Sequence, residues 1–375
     1  MLFAQKRLST SVMLISLFFM LIFNGAPVFS QETDPENELV HVINPGPENP
    51  RNSEGAFIEL RDGSILYVYS RFRGSSGSDH APAQLVGRYS KDKGKTWTSD
   101  DQIIVDREGD MNVMSSSLLR LNNKSIALIY LRKNSLDDCM PKIRISNDEG
   151  KTWSEPNDII QDIKGYFVVN NDRVIQLKNG RILVPVSHHK TAETKWSNKG
   201  ALRCYYSDDQ GISWKSGELV PSPDSIITQE PGVVELKDGR VMMLIRASGG
   251  EQYRSYSSDN GVSWSYAEPS GIGSPISPAS IKRIPKTGDL LLVWNNNAVK
   301  GPGYFSGQRS PLTIAVSSDE GQSWRKIKNI ETDPKGMFCY TAIHFNNKNV
   351  LLGYGVGSGL ASSYIRRLSL NWVYK

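Results

Sequence analysis

Cysteine is nearly missing from this chain: Cys139, Cys204 and Cys339 are the three among 375 residues. An odd, sparse set makes no disulfide framework and allows at most one bridge. Three buried thiols packing as small hydrophobes is the simpler reading. Dense Lys/Arg blocks are missing too, and the net charge is only +5. That argues against a nucleic-acid binder and is merely compatible with an anionic substrate. Helix signals are scarce. Long apolar runs are confined to residues 12–23, too short to span a bilayer comfortably. With Lys6 and Arg7 before it and Val28-Phe29-Ser30 ahead of Gln31, this run reads as a secretory signal over residues 1–30. The rival reading is an uncleaved N-terminal anchor. The mature residues 31–375 are expected in the periplasm or outside the cell, with no membrane span. No metal-ligand spacing stands out, so no cofactor is expected.

What the chain does have is one octapeptide, five times. Ser90-Lys91-Asp92-Lys93-Gly94-Lys95-Thr96-Trp97 fits the pattern S-x-D-x-G-x-[ST]-W, and it returns at Ser146, Ser207, Ser257 and Ser317. The starts are 56, 61, 50 and 60 residues apart. A short Asp accepts local backbone N–H bonds, and a Gly supplies positive φ, so each copy predicts a tight turn. The Ser or Thr hydroxyl bonds across the turn and the Trp buries its ring beneath it. Five copies at near-regular spacing mark a repeat architecture.

Between the turns lie short β-branched and aromatic runs. The first unit has strand candidates at residues 56–60 and 64–70 about Asp62-Gly63, and then 86–89. The second has 116–121, 125–131 and 142–145; the third, 173–177 and 181–186 about Asn179-Gly180. The fourth has 232–236 and 240–245, the fifth 280–284 and 289–294. A sixth, without the octapeptide, has 340–345, 350–354 and 364–370. Six units of four antiparallel strands predict an all-β fold, a six-bladed β-propeller in one domain. A strand at 39–43 is placed to complete the last blade and close the ring, leaving no open edge.

Propeller ligands sit where the inner strands converge on the axis. The five octapeptide carboxylates lie at outer turns and are read as structural. The remaining polar candidates at inner-strand ends include Glu54, Arg71, Asp79, His80, Asp172, Arg173, Glu230, Arg246, Arg309 and Tyr340, with Arg132 and His188 beside them. Residues 71–80 form a polar loop ending in Asp79-His80. Gln229-Glu230-Pro231-Gly232 places a carboxylate where the fourth inner strand begins, and Cys339-Tyr340-Thr341-Ala342 opens the sixth. Composition and spacing give acids, arginines and a tyrosine at a funnel, and no reaction.

The octapeptides, as Asp boxes, and the order of these polar residues resemble the sialidase (neuraminidase) superfamily of bacterial BNR-repeat glycoside hydrolases over roughly residues 50–370. The resemblance implies a general acid at Asp79, a Tyr nucleophile at Tyr340 and its partner base at Glu230. It implies carboxylate-binding arginines at Arg246 and Arg309, and Arg173-Val174-Ile175-Gln176-Leu177 is similar to the family's third-blade segment. Sialic acid carries a carboxylate on its anomeric carbon, which repels a carboxylate nucleophile; a neutral Tyr activated by a Glu avoids this. Arginines bind the sugar carboxylate through paired N–H bonds. Two departures stand out. Where the family has an Arg-Ile-Pro motif, this chain reads Arg51-Asn52-Ser53-Glu54-Gly55-Ala56, so Glu54 takes the usual arginine's place, and Arg51, Arg71 and Arg73 are the candidates to substitute for it. The family's late Glu is missing from Leu351-Leu352-Gly353-Tyr354-Gly355. The resemblance thus implies a retaining exo-sialidase-like enzyme acting on a glycan with a terminal acidic sugar. The alternatives are a propeller glycosidase or polysaccharide lyase using His80, His188 or a Tyr, and a non-catalytic sugar-binding propeller.

Overall fold

The computed structural model describes residues 34–298 and 309–375. The expected signal segment at residues 1–30 lies outside them. The described chain is built almost wholly of antiparallel strands, with one short α-helix at Leu370–Tyr374 and one 3-10 turn at Ser358–Leu360.

Four sheets have four strands each in simple up-and-down order. The first is Asn52–Glu59, Ile65–Phe72, Ala83–Ser90 and Gln102–Val105. Another runs Thr228–Glu235, Val241–Ala247, Glu251–Ser257 and Glu268–Gly273, and the next runs Ser280–Arg283, Leu290–Asn295, Leu312–Ser317 and Arg325–Glu331. The last has Phe338–Asn346, Asn349–Val356 and Ser362–Ser369, and its fourth strand comes from the other end of the described chain. Asn37–Ile43 pairs antiparallel with Ser362–Ser369, Asn37 opposite Leu368 and Ile43 opposite Ser363. The strand expected at 39–43 thus closes the last sheet.

The second and third sequence units form one nine-stranded sheet. A single parallel bridge, Tyr166 to Cys139, joins Asp138–Ser146 to Gly165–Val168. The third unit departs from its expected form. The strand expected at 173–177 shrinks to Ile175–Gln176, and Gly165–Val168 lies beside Ile182–Thr191 as well. The cause is local: Asn170 accepts its neighbour's N–H through its side chain, and Asp172 turns to φ 55, which breaks the extended run.

Burial explains the strand sequences. Middle strands such as Leu290–Asn295 and Leu312–Ser317 are buried throughout, because both sheet faces are covered, while the outer strand Arg325–Glu331 is mostly exposed. Each sheet shares a core with the next. Leu66 and Val68 pack with Leu128 and Tyr130; Ile129 packs with Ile182 and Val184; Leu183 packs with Val233 and Met243. Leu244 meets Leu292, Leu291 meets Ile343 and Leu352, and Phe57 and Tyr67 meet Ala342 and Leu351, back at the first sheet. Each large apolar side chain so buried contributes roughly 1.5–3 kcal/mol.

The octapeptides bond as their residue types demand. Ser90 donates to Asp92 Oδ1 at 2.9 Å, Thr96 N–H to Oδ1 at 2.9 Å and Thr96 Oγ1 to Oδ2 at 2.6 Å. The same bonds recur at Asp148, Asp209, Asp259 and Asp319. These donors hold the Asp148 and Asp209 carboxylates down at about 2, against the burial that would raise Asp209. Gly94 sits at φ 83, where its N–H reaches Ser90 Oγ.

Two half-buried histidines give this fold an acid limit. Burial, with Arg88 adding to it, lowers His41 to about 4, and Arg88 Nη1 lies 2.8 Å from His41 Nε2, which fits a neutral ring accepting from a guanidinium. Burial, with Lys282 nearby, likewise lowers His344 to about 4. Unfolded histidine takes up its proton near pH 6.5. The unfolded state therefore binds more protons between about 6.5 and 4, so stability falls as pH drops through that window. Denaturation midpoints taken at pH 7, 5.5 and 4.5 should decline, and a His41→Gln, His344→Gln double variant should show a shallower decline. An equal slope in both proteins counts against this account.

Candidate active site

One backbone device builds the site. Four inner strands carry a bulge, with register shifts at Ser53/Ala56, Met114/Ser117, Gln229/Gly232 and Cys339/Ala342. At each bulge a non-glycine residue takes left-handed backbone: Glu54 at φ 58, Ser115 at 60, Glu230 at 40 and Tyr340 at 57. Such a conformation costs on the order of 1–3 kcal/mol and persists where surrounding structure enforces it. A bulge re-aims its side chain. All four side chains line one cavity, together with Asp79, Lys133 and Tyr166.

Tyr340 and Glu230 meet there. The phenol donates to Glu230 Oε1 at 3.3 Å, and Arg246 Nη1 donates to Glu230 Oε2 at 2.6 Å. Arg246 is buried and fixed by a second bond, Nε to the Ile276 carbonyl at 3.1 Å. The Arg309 guanidinium lies 5.3 Å from the Tyr340 ring centroid, a cation–π contact. Burial raises the Tyr340 hydroxyl well above the usual phenol range, and Glu230 adds to this; Arg309 and Arg246 oppose it. The phenol is therefore neutral at rest. Burial works to lower Arg309, but Cys339, Tyr340 and Glu230 hold it above its ordinary value.

The same cavity holds two further acids, Glu54 and Asp79. Glu54 is buried, accepts from Arg51 Nη2 at 2.8 Å and bonds the Ser115 hydroxyl. Burial raises its carboxyl; Asp79 and Glu230 add to that, and Arg51 opposes it. Asp79 is ion-paired with Arg51 through Nη1. Burial would raise Asp79 as well, but Arg51 and Lys133 hold it below the usual carboxylate range. Lys133, itself buried, donates to the Asp79 carbonyl at 2.7 Å, and Asn112 Nδ2 does so at 2.9 Å.

Of the residues expected from sequence, Asp79, Glu54, Glu230 and Tyr340 line the cavity, and Arg246 and Arg309 stand against its tyrosine and glutamate. Four expected substrate contacts do not line this cavity. Arg71 reaches Asp101 at 3.5 Å, beside the Arg88–Asp101 pair. His80 is exposed and does not line the cavity. Asp172 accepts from Lys282 at 3.0 Å and from the Ile343 N–H at 2.8 Å, so it is spent on packing. Arg173 is 4% exposed and donates from Nη1 to Ser280 Oγ at 2.9 Å, while its Nε and Nη2 have no hydrogen-bond partner among the described residues. The histidine of the lyase reading, His188, stacks on Phe167 at 4.2 Å and its Nε2 bonds the Lys190 carbonyl.

Sequence reasoning missed Lys133, Ser115 and Tyr166. It placed Arg132 at the strand end, one residue away from Lys133, and a one-residue slip on a strand moves a side chain to the other face. The family pattern described as BNR repeat-like domain matches residues 72–352, most of the chain. The chain belongs to this family. It is a divergent member of the sialidase superfamily. A sialidase of Bacteroides fragilis (strain YCH46) is 27% identical over 218 residues, 55% of this chain and 37% of its own length. A sialidase of Clostridium perfringens is 28% identical over 286 residues, 68% of this chain and 72% of its own. A third, a sialidase of Paraclostridium sordellii, is matched over 63% of its length, so the chain spans between about a third and about three quarters of these relatives. The solved Hadza microbial sialidase Hz136 superposes with a TM-score of 0.70 at 18% identity, covering 86% of this chain and 66% of that one. Sialidase folds of this kind are β-propellers, and the all-β architecture of this superfamily member agrees with them.

Proposed function

We propose that this protein is a secreted exo-α-sialidase-like glycoside hydrolase that releases a terminal sialic acid, or a related acidic sugar, from glycoconjugates with retention of configuration. The same proposal takes the fold as a six-bladed propeller with five Asp-box turns, the nine-stranded sheet being two blades joined at one bridge. The observation that carries the reading is the Tyr340–Glu230 contact at 3.3 Å with Arg246 on the glutamate and Arg309 on the tyrosine ring. The residue types suit the chemistry. Arg309 and Arg246 receive the sugar carboxylate. Tyr340 Oη attacks the anomeric carbon as its proton passes to Glu230. The bond to the leaving oxygen breaks, and Asp79 supplies the proton that oxygen needs. Water then attacks the anomeric carbon, its proton goes to Asp79, the tyrosyl bond breaks, and Glu230 returns the phenol proton. The Arg51 pair keeps Asp79 ionised at rest. An arriving sugar carboxylate favours its protonation by like-charge repulsion.

The test is ¹H NMR of the purified protein with a sialyl oligosaccharide. Early appearance of the α anomer of free sialic acid supports a retaining sialidase. Early β product refutes retention, and no release from any sialoside or related acidic glycoside refutes the activity.

A further inference from the structure

Trp196 sits in the loop between Ile182–Thr191 and Ala201–Ser207, and it remains half exposed. An open indole is usually mobile, but this one is fixed. Its Nε1–H donates to Asn198 Oδ1 at 2.9 Å. Its ring stacks on His189, centroids 5.1 Å apart and planes 15° apart. His189 is itself locked, with Nδ1 2.8 Å from the Ser197 carbonyl and Nε2 2.9 Å from Ser187 Oγ. His189 is thus the backing of an aromatic plate.

The plate adjoins the cavity. Trp196 meets Tyr166 edge to face at 5.1 Å, and Tyr166 is a wall of the cavity that Glu230 and Tyr340 line. The loop is also tied to the strand that delivers Glu230. Gln229 Nε2 donates to the Asn198 carbonyl at 2.8 Å, and Gly200 N–H to the Thr228 carbonyl at 2.8 Å. An aromatic surface that is rigid before any ligand arrives loses little freedom on binding. A pyranose ring presents a face of C–H groups that suits such a plate.

We infer that Trp196, backed by His189, is a subsite for the sugar ring on the leaving-group side of the scissile bond, so that the chain prefers oligosaccharide sialosides over simple ones. This rests on the proposed activity, and the occupant follows from contiguity: a terminal sugar held at Tyr340 places the next ring outside the cavity mouth.

The experiment compares wild type, Trp196→Ala and Trp196→Phe on sialyllactose and on methyl sialoside. The ratio of kcat/KM for sialyllactose to that for methyl sialoside should fall about tenfold in Trp196→Ala and recover largely in Trp196→Phe. An unchanged ratio overturns the inference. Saturation-transfer NMR with free lactose tests the subsite without turnover. Transfer to lactose ring protons in wild type, lost in Trp196→Ala of unchanged thermal stability, supports the inference even where no sialoside is cleaved. No transfer in wild type overturns it.

Discussion

Tyr340→Phe should lower sialoside turnover by on the order of 10³-fold or more, because it deletes the nucleophilic oxygen and leaves no other atom in its place. The fold should survive. The substitution keeps the buried ring, the cation–π contact with Arg309 and the left-handed backbone, and removes one long hydrogen bond of 3.3 Å. Such a bond is worth about 1 kcal/mol at most. Glu230 keeps its partner Arg246, so no carboxylate is stranded. Rates with a fluorogenic sialoside and a thermal melt read the two effects separately. A variant that melts like wild type and still turns over within tenfold removes Tyr340 from the nucleophile's role. A variant that is inactive and also unfolded leaves the role to Glu230→Gln. That second substitution keeps size and hydrogen-bond capacity, and it should cost on the order of 10²–10⁴-fold as the base is lost.

The parts of the site that were readable in the sequence are those set by local chemistry. An Asp, a Gly and a Trp at fixed spacing announce their turn, and the bonds at Asp92 and its four counterparts follow from side chains within six residues. Gly-punctuated apolar runs announce the strands that flank them. The Glu230 and Tyr340 positions were readable because each opens an inner strand. The failures in the site are non-local or off by one residue. Nothing in residues 173–177 shows that Asp172 will be drawn to Lys282 and Ile343, more than a hundred residues away. The parity of Arg132 and Lys133 depends on bulges that composition does not mark. Glu54 and Ser115 are poor candidates for left-handed backbone on propensity alone, and they adopt it because the converging strands demand it. Arg51 was one of three arginines able to reach the site, and only packing on Phe72, its guanidinium 4.6 Å from the ring centroid, aims it at both acids.

Arg51→Leu is expected to have the largest effect on stability, and the effect should depend on pH. Arg51 is 6% exposed and holds Glu54 at 2.8 Å, Asp79 through its other nitrogen, and the Gly77 carbonyl at 3.2 Å. Removing one partner of a buried pair typically costs about 3–5 kcal/mol, since the remaining charge has no compensation. The sign with pH follows from Asp79, whose carboxyl lies below its ordinary value in the folded protein. Its contribution is present above the unfolded carboxylate pKa, about 3.9, and is lost as pH falls through the lower folded value. Glu54, raised by burial, takes a proton more readily as pH falls and so loses its need for a cation. The difference between wild type and Arg51→Leu should therefore be widest at neutral pH and narrow toward pH 4. Urea titrations at pH 7 and 3.5 measure it, and an equal loss at both would mean that Arg51 acts by packing on Phe72 alone. Activity gives a second signal. With Arg51 gone, Asp79 binds its proton at higher pH, so the alkaline limb of kcat/KM should move upward even as the protein weakens. A lowered stability with an unmoved limb would separate Asp79 from the proton that the leaving group takes.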